Sequence, residues 1–139
     1  MDRRAALSRP LAALLLAGAA SVALACGYCV EDKIASTYDH ALVTQALAHK
    51  HHVAFFHIDG PVVPGEGTKR WLESAAASTA GVDRGSARVA VDTLTISVAS
   101  DPRLTSLIVL QNALDKKLAV KKLALLPLRV IDAPAAPDR

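Results

Sequence analysis

The amino-acid sequence predicts an α+β fold in which a βαββαβ unit follows a leader segment and one extra helix. Apolar residues recur every three to four positions over 30–50, 68–81 and 105–117, a spacing typical of amphipathic helices. Short runs rich in β-branched and aromatic residues, bounded by glycine, proline and aspartate, are typical of strands. The predicted strands cover residues 53–58, 86–91, 94–98 and 123–131. From residue 52 onward the order is strand, helix, strand, strand, helix, strand.

Residues 1–25 have the features of a secretory signal peptide. A basic start containing Arg3 and Arg4 precedes an apolar run over 11–24, which ends in the small-residue motif Ala23-Leu24-Ala25. Cleavage after Ala25 leaves Cys26 as the first residue and predicts a periplasmic or secreted protein. The apolar run is shorter than the roughly 20 residues of a membrane span, so we expect no membrane span.

Charge and composition exclude one class of partner. The chain has 16 Lys and Arg and 13 Asp and Glu, and removing the leader's three arginines and one aspartate leaves 13 basic and 12 acidic groups. The sequence contains no basic run with interleaved aromatic residues, so nothing predicts binding to nucleic acid. No spacing typical of a Ser-His-Asp triad or of a phosphate-binding glycine loop is present. A binding function is therefore favoured over an enzymatic one.

The first segment of the mature chain is a predicted helix over 30–50. Acidic Glu31 and Asp32 lie in its first turn and basic Lys50 at its end, the arrangement that a helix dipole favours. Three histidines at the far end of this helix are expected to form a solvated helix terminus. They are His49, His51 and His52. Because a helix of this length separates them from the cysteines, the two sets cannot bind one ion.

Turn signals divide the rest of the chain. The first strand ends at Asp59-Gly60-Pro61, and the next helix has Thr68 as its predicted N-cap and Gly81 as its predicted C-cap. In the third strand Leu94, Ile96 and Val98 alternate with Thr95 and Ser97, so we expect the first three to face the helices. The last strand contains Pro127, which is tolerated at a sheet edge. This order of elements is that of the ferredoxin-like fold.

Residues 52–131 resemble a heavy-metal-associated domain, the small copper- and mercury-binding ferredoxin-like module. The likeness lies in Ala80-Gly81-Val82, the hairpin over 86–98, the turn at Asp101-Pro102 and a helix containing Leu110 and Leu114. The resemblance implies Cu(I) or another soft metal ion as cargo and a metal-transport protein as partner. Members of that family carry a C-x-x-C in the loop after the first strand. Here that loop, residues 59–67, contains no cysteine, so no ligand carries over from the family motif.

The only two cysteines form the motif C-G-Y-C at Cys26 and Cys29, at the start of the extra helix. Two thiolates at this spacing can chelate a soft metal ion. They can equally cycle between dithiol and disulfide with a redox partner protein, and C-G-Y-C resembles the active-site tetrapeptide of a thioredoxin-like periplasmic disulfide isomerase. If the extra helix packs antiparallel to the first strand, the pair lies near loop 59–67, with His57 as the nearest additional metal ligand.

Further alternatives remain open for the same residues. A static disulfide would leave a metal-free interaction domain. The residues around Cys26 also resemble a bacterial lipobox, which would make the protein a lipoprotein anchored at Cys26. The predicted organisation is a signal peptide (1–25), the C-G-Y-C motif with its helix (26–51), the ferredoxin-like domain (52–131) and a flexible tail (132–139).

Overall fold

The computed structural model describes residues 29–134. The predicted leader, Cys26 and the last five residues of the predicted tail lie outside this range. Four helices and four strands are present within it. They are α1 (Val30–Thr37), α2 (His40–Ala48), β1 (His52–Asp59), α3 (Glu66–Ala77), β2 (Arg88–Ala90), β3 (Thr95–Ser100), α4 (Leu107–Leu118) and β4 (Ala124–Ile131), with a 3-10 turn at Ala119–Lys121 after α4.

The four strands form one antiparallel sheet in the order β2-β3-β1-β4. Together with the βαββαβ order of elements from β1 onward, this strand order is the ferredoxin-like fold that the sequence predicted. The edge position of the last strand is also confirmed, because β4 pairs with β1 and lies at one end of the sheet. Pro127 lies in β4 opposite Phe56, where the edge tolerates a residue without an amide hydrogen.

The prediction of one helix over 30–50 is wrong, because the structure has two helices there. Tyr38 and Asp39 between them have extended backbone angles. Asp39 is the N-cap of α2, and its carboxylate accepts a hydrogen bond from the Leu42 amide at 3.1 Å. The same carboxylate pairs with Arg88 of β2 at 3.0 Å. These hydrogen bonds lower the pKa of Asp39, that from Leu42 most. They favour a new helix start over continuation of α1.

The main core lies between the sheet and helices α3 and α4. Its buried residues come from alternate positions of the strands and from the inner faces of the two helices. They are Ala54, Phe56, Ile58, Leu72, Ala76, Val89, Ile96, Val98, Leu110, Leu114, Leu118, Leu123 and Leu125. The expectation that Ile96 and Val98 face the helices is therefore confirmed. Leu94 is partly buried and also packs against this core, but it does so from the turn before β3, with a φ of 52°.

A second core lies on the opposite face of the sheet, which α1 and α2 cover. It contains Ile34, Val43, Ala46, Val53, Phe55 and Ala99. Thr95 and Ser97, expected to face away from the helices, do lie on this other face but are only 0% and 2% exposed. They are buried because the N-terminal helices fold back over them.

Candidate thiol site

Cys29 is the N-cap residue of α1 and its thiol is exposed. The side chain makes no capping hydrogen bond to the helix backbone, and Sγ instead donates to Asp32 Oδ2 at 3.1 Å. The Cys29 carbonyl accepts from the Lys33 amide and so begins the helical hydrogen-bond series. Within residues 29–134 Cys29 forms no disulfide; its sequence partner Cys26 lies outside the described residues. The Cys29 side chain is therefore accessible from solvent.

Polar contacts hold α1, and with it Cys29, against the sheet. Glu31 in the first turn makes a two-pronged ion pair with Arg129 of β4. The hydrogen bond from Arg129 lowers the pKa of Glu31 and keeps its carboxylate charged. Lys33 Nζ donates to the Thr93 carbonyl at 2.7 Å, at the turn between β2 and β3. Helix α1 thus spans from the β4 edge toward the β2–β3 hairpin, and Cys29 lies at its β4 end.

The structure places His57 beneath α1. Its Nδ1 lies 3.1 Å from Lys33 Nζ and 3.1 Å from the Leu94 carbonyl. Cys29 and Lys33 are four residues apart on the helix, so they share one face of it. The Lys33 ammonium therefore already contacts the Nδ1 atom of His57. A role for His57 as a metal ligand remains a prediction.

The histidines at the end of α2 do not form the expected solvated terminus. His51 Nδ1 lies 2.6 Å from Asp83 Oδ2, and its Nε2 lies 3.5 Å from Asp101 Oδ2. Asp101 also accepts hydrogen bonds from the Arg103 guanidinium and amide, which lower the pKa of Asp101 to about 2. His51 therefore links the start of β1 to two loops.

His52 differs from its neighbours because it is the first residue of β1 and is buried. Its Nε2 lies 2.6 Å from Ser100 Oγ in the adjacent strand. Burial lowers the pKa of His52, so the neutral imidazole is the favoured form. His49 remains exposed, with Nδ1 2.9 Å from the Gln45 carbonyl. Of the three histidines, only His49 matches the expectation of a solvated side chain.

Within residues 29–134 no group of three or more His, Cys, Asp or Glu side chains is arranged to hold a metal ion. No helix in the same range is long and apolar enough to cross a membrane. The contacts that position Cys29 were missed by sequence reasoning. Glu31 and Arg129 are 98 residues apart, and Lys33 and Thr93 are 60 apart, so no local pattern connects them.

No protein-family profile and no curated protein sequence matches this chain. Among solved structures, it is similar to a copper binding domain from HMA7, a P-type ATPase, at 16% identity and a TM-score of 0.45, over 57% of this chain and 96% of that one. It is similar to oxidized MerP from Ralstonia metallidurans CH34 at 16% identity and a TM-score of 0.45, over 57% and 99%.

A third similar structure is the N-terminal domain of a potential copper-translocating P-type ATPase from Bacillus subtilis, solved in the Cu(I)-loaded state. It is 22% identical with a TM-score of 0.45, over 62% of this chain and 98% of that one. Similarity at this level adds nothing about the site in this chain, and the fold assignment rests on the strand order.

Proposed function

We propose that this chain is an exported soft-metal-binding protein that holds an ion such as Cu(I) between the thiolates of Cys26 and Cys29. One observation carries the proposal. Cys29 is an exposed thiol at the N-cap of a helix docked on the sheet, three residues after the only other cysteine of the chain. The metal is cargo, received from or passed to a metal-transport protein.

The chemistry of the donor set suits such an ion. Thiolates are soft ligands that select Cu(I) over the harder divalent ions. Because Cys29 is exposed, a partner's thiols can reach an ion bound there.

Other potential metal ligands support the assignment of the site to the thiol pair, because they are engaged elsewhere or absent. The side chains of His51 and His52 are engaged with Asp83, Asp101 and Ser100. The loop over 59–67, where heavy-metal-associated domains carry their cysteines, has none here. A metal site in this chain would therefore lie at the N-terminal C-G-Y-C motif and not in this loop.

A competition experiment tests the proposal. Mature protein beginning at Cys26 is titrated with Cu(I) against a chromophoric chelator under reducing conditions, beside Cys26→Ser, Cys29→Ser and the double variant. Serine is a favoured N-cap residue, so Cys29→Ser should leave α1 folded. We expect each single change to weaken Cu(I) binding at least tenfold and the double change to abolish it. His49→Ala, at an exposed imidazole, is the matched control and should bind Cu(I) as tightly as the wild type. Unchanged binding by the double variant would refute the proposal.

A thiol–disulfide redox function is the second candidate, favoured by the same exposed thiol at a helix start. It predicts catalysed insulin reduction without metal, and a reduction potential well above the roughly −300 mV below which structural disulfides lie. Mass spectrometry of the exported protein separates dithiol, disulfide and lipidated Cys26. A product that still begins at Met1 would contradict the proposed export.

A further inference from the structure

The surface beneath α1 is polar. Ser36 Oγ lies 2.7 Å from Thr93 Oγ1, and the Lys33 ammonium donates to the Thr93 carbonyl. Ser97, buried in β3, donates to the Thr37 carbonyl at 3.3 Å. Ile34 is the one buried apolar side chain of α1. Separation of α1 from the sheet would therefore expose these polar groups, which water can hydrogen-bond, together with one apolar contact, that of Ile34 with the second core.

Thr37, the last residue of α1, weakens the docked arrangement. It is 5% exposed, and its Oγ1 is buried without a hydrogen-bond partner among the described residues. A buried polar atom without a partner loses its hydration on docking and receives nothing in return. The docked arrangement of α1 therefore includes an unsatisfied hydroxyl, which water could hydrogen-bond if α1 left the sheet.

Helix α2 contributes two buried apolar side chains to the second core, whereas α1 contributes one, Ile34. Val43 and Ala46 are buried against an apolar surface that includes Val53 and Phe55 of β1. Its N-cap, Asp39, is also held to β2 by an ion pair. The two helices meet at Tyr38, which is 44% exposed and has an extended backbone. This connection can change direction without breaking a helical hydrogen bond of α2.

We infer that α1 swings away from the sheet as a unit about Tyr38 and Asp39 while α2 stays docked. The movement carries Cys29 away from the domain surface, which would present the thiol pair to a partner. That use of the movement rests on the proposed function, whereas the movement itself does not depend on metal.

Hydrogen–deuterium exchange of the full mature chain tests the inference, in a Cys26→Ser and Cys29→Ser background so that the outcome is independent of metal binding. We expect the hydrogen-bonded amides of α1 to exchange at least tenfold faster than those of α2. This exchange should occur through local opening of α1, so its rate should not change at low denaturant concentration. Thr37→Val removes the hydroxyl without a partner and keeps the shape of the side chain. It should slow exchange about tenfold along α1 as far as Lys33, leaving α2 unchanged. The matched control, Thr44→Val at an exposed position of α2, should leave α1 exchange unchanged.

A crosslink gives a second test. The hydroxyls of Ser36 and Thr93 are 2.7 Å apart, so Ser36→Cys with Thr93→Cys in the same background can lock α1 to the sheet. Oxidation should suppress α1 exchange to the rate of α2, and reduction should restore it. The inference is overturned if α1 and α2 exchange together in every variant. It is also overturned if Thr37→Val slows only the amides beside it, because that result means fraying of the helix end.

Discussion

The covered second face of the sheet makes Phe55 the most informative position for a stability measurement. Phe55 is 1% exposed, and its side chain packs in the core that α1 and α2 complete. Its neighbour Phe56 is 3% exposed and belongs to the core beneath α3 and α4. Successive residues of a strand face opposite sides of the sheet. The pair therefore compares the two cores within one strand.

Truncation of a fully buried phenylalanine costs about 3–5 kcal/mol, from lost burial and the cavity left behind. We expect Phe55→Ala and Phe56→Ala each to lower the free energy of unfolding by about that amount. Such a loss is a large part of the roughly 5–15 kcal/mol that stabilises an ordinary domain. If the N-terminal helices did not cover the sheet, Phe55 would lie at a solvated face and its truncation would cost under about 1 kcal/mol.

Urea denaturation followed by circular dichroism and by Trp71 fluorescence measures both variants. Leu126→Ala, at a side chain 50% exposed on β4, is the control and should change stability by less than about 1 kcal/mol. A cost of about 3–5 kcal/mol for Phe56→Ala with almost none for Phe55→Ala would show that α1 and α2 do not form a second core in solution.

Two further outcomes are expected. Gly60→Ala should lower the free energy of unfolding, measured by urea denaturation, by about 2–4 kcal/mol, because φ is +119° there and an added Cβ would lie 2.5 Å from the Lys122 carbonyl. Gly67→Ala, with open space around it, should instead be neutral or stabilise by up to about 1 kcal/mol. Equal effects of the two changes would contradict the geometry of the loop at Gly60. Burial lowers the folded-state pKa of His52, so below its ordinary pKa of about 6.5 the unfolded chain takes up a proton that the folded chain resists. The stability contribution of His52 is thus complete above that pH and declines as the pH falls toward the folded-state pKa. Between pH 7.5 and 5, the melting temperature should fall less for His52→Gln than for the wild type. If it falls equally in both proteins, burial of His52 is not the source of the pH dependence.

Local patterns in the sequence were enough to predict most elements of the domain. Apolar spacing reports the conformation of a few neighbouring residues, and that preference survives in the folded chain. The predicted caps of α3 were wrong, because the helix begins at Glu66 after Gly65 and ends at Ala77, so neither Thr68 nor Gly81 caps it. The strand order then followed because few topologies join these elements. Pro127 could be assigned to an edge because it lacks the amide hydrogen that an inner strand needs. The two-thiol motif and its position at a helix start were likewise readable from the sequence.

The break between α1 and α2 was harder to predict from the sequence. Apolar residues keep a helical spacing through Tyr38 and Asp39, so the periodicity alone predicts one helix. Aspartate is a favoured N-cap, and that was the one local signal for a new start. Its ion pair with Arg88, 49 residues away, exists only in the folded chain.

The tertiary structure alone decided what covers each surface. Alternation placed Thr95 and Ser97 on the face opposite Ile96, but it could not show that α1 and α2 fold back over that face. The same holds for His52, which a local pattern assigns to a helix end and the fold buries beside Ser100. Periodicity reports which side of an element is apolar, whereas burial and hydrogen-bond partners depend on residues far away in sequence. The ion pair that positions Cys29 joins residues 98 positions apart, so its existence follows only from the packing of α1 across the sheet.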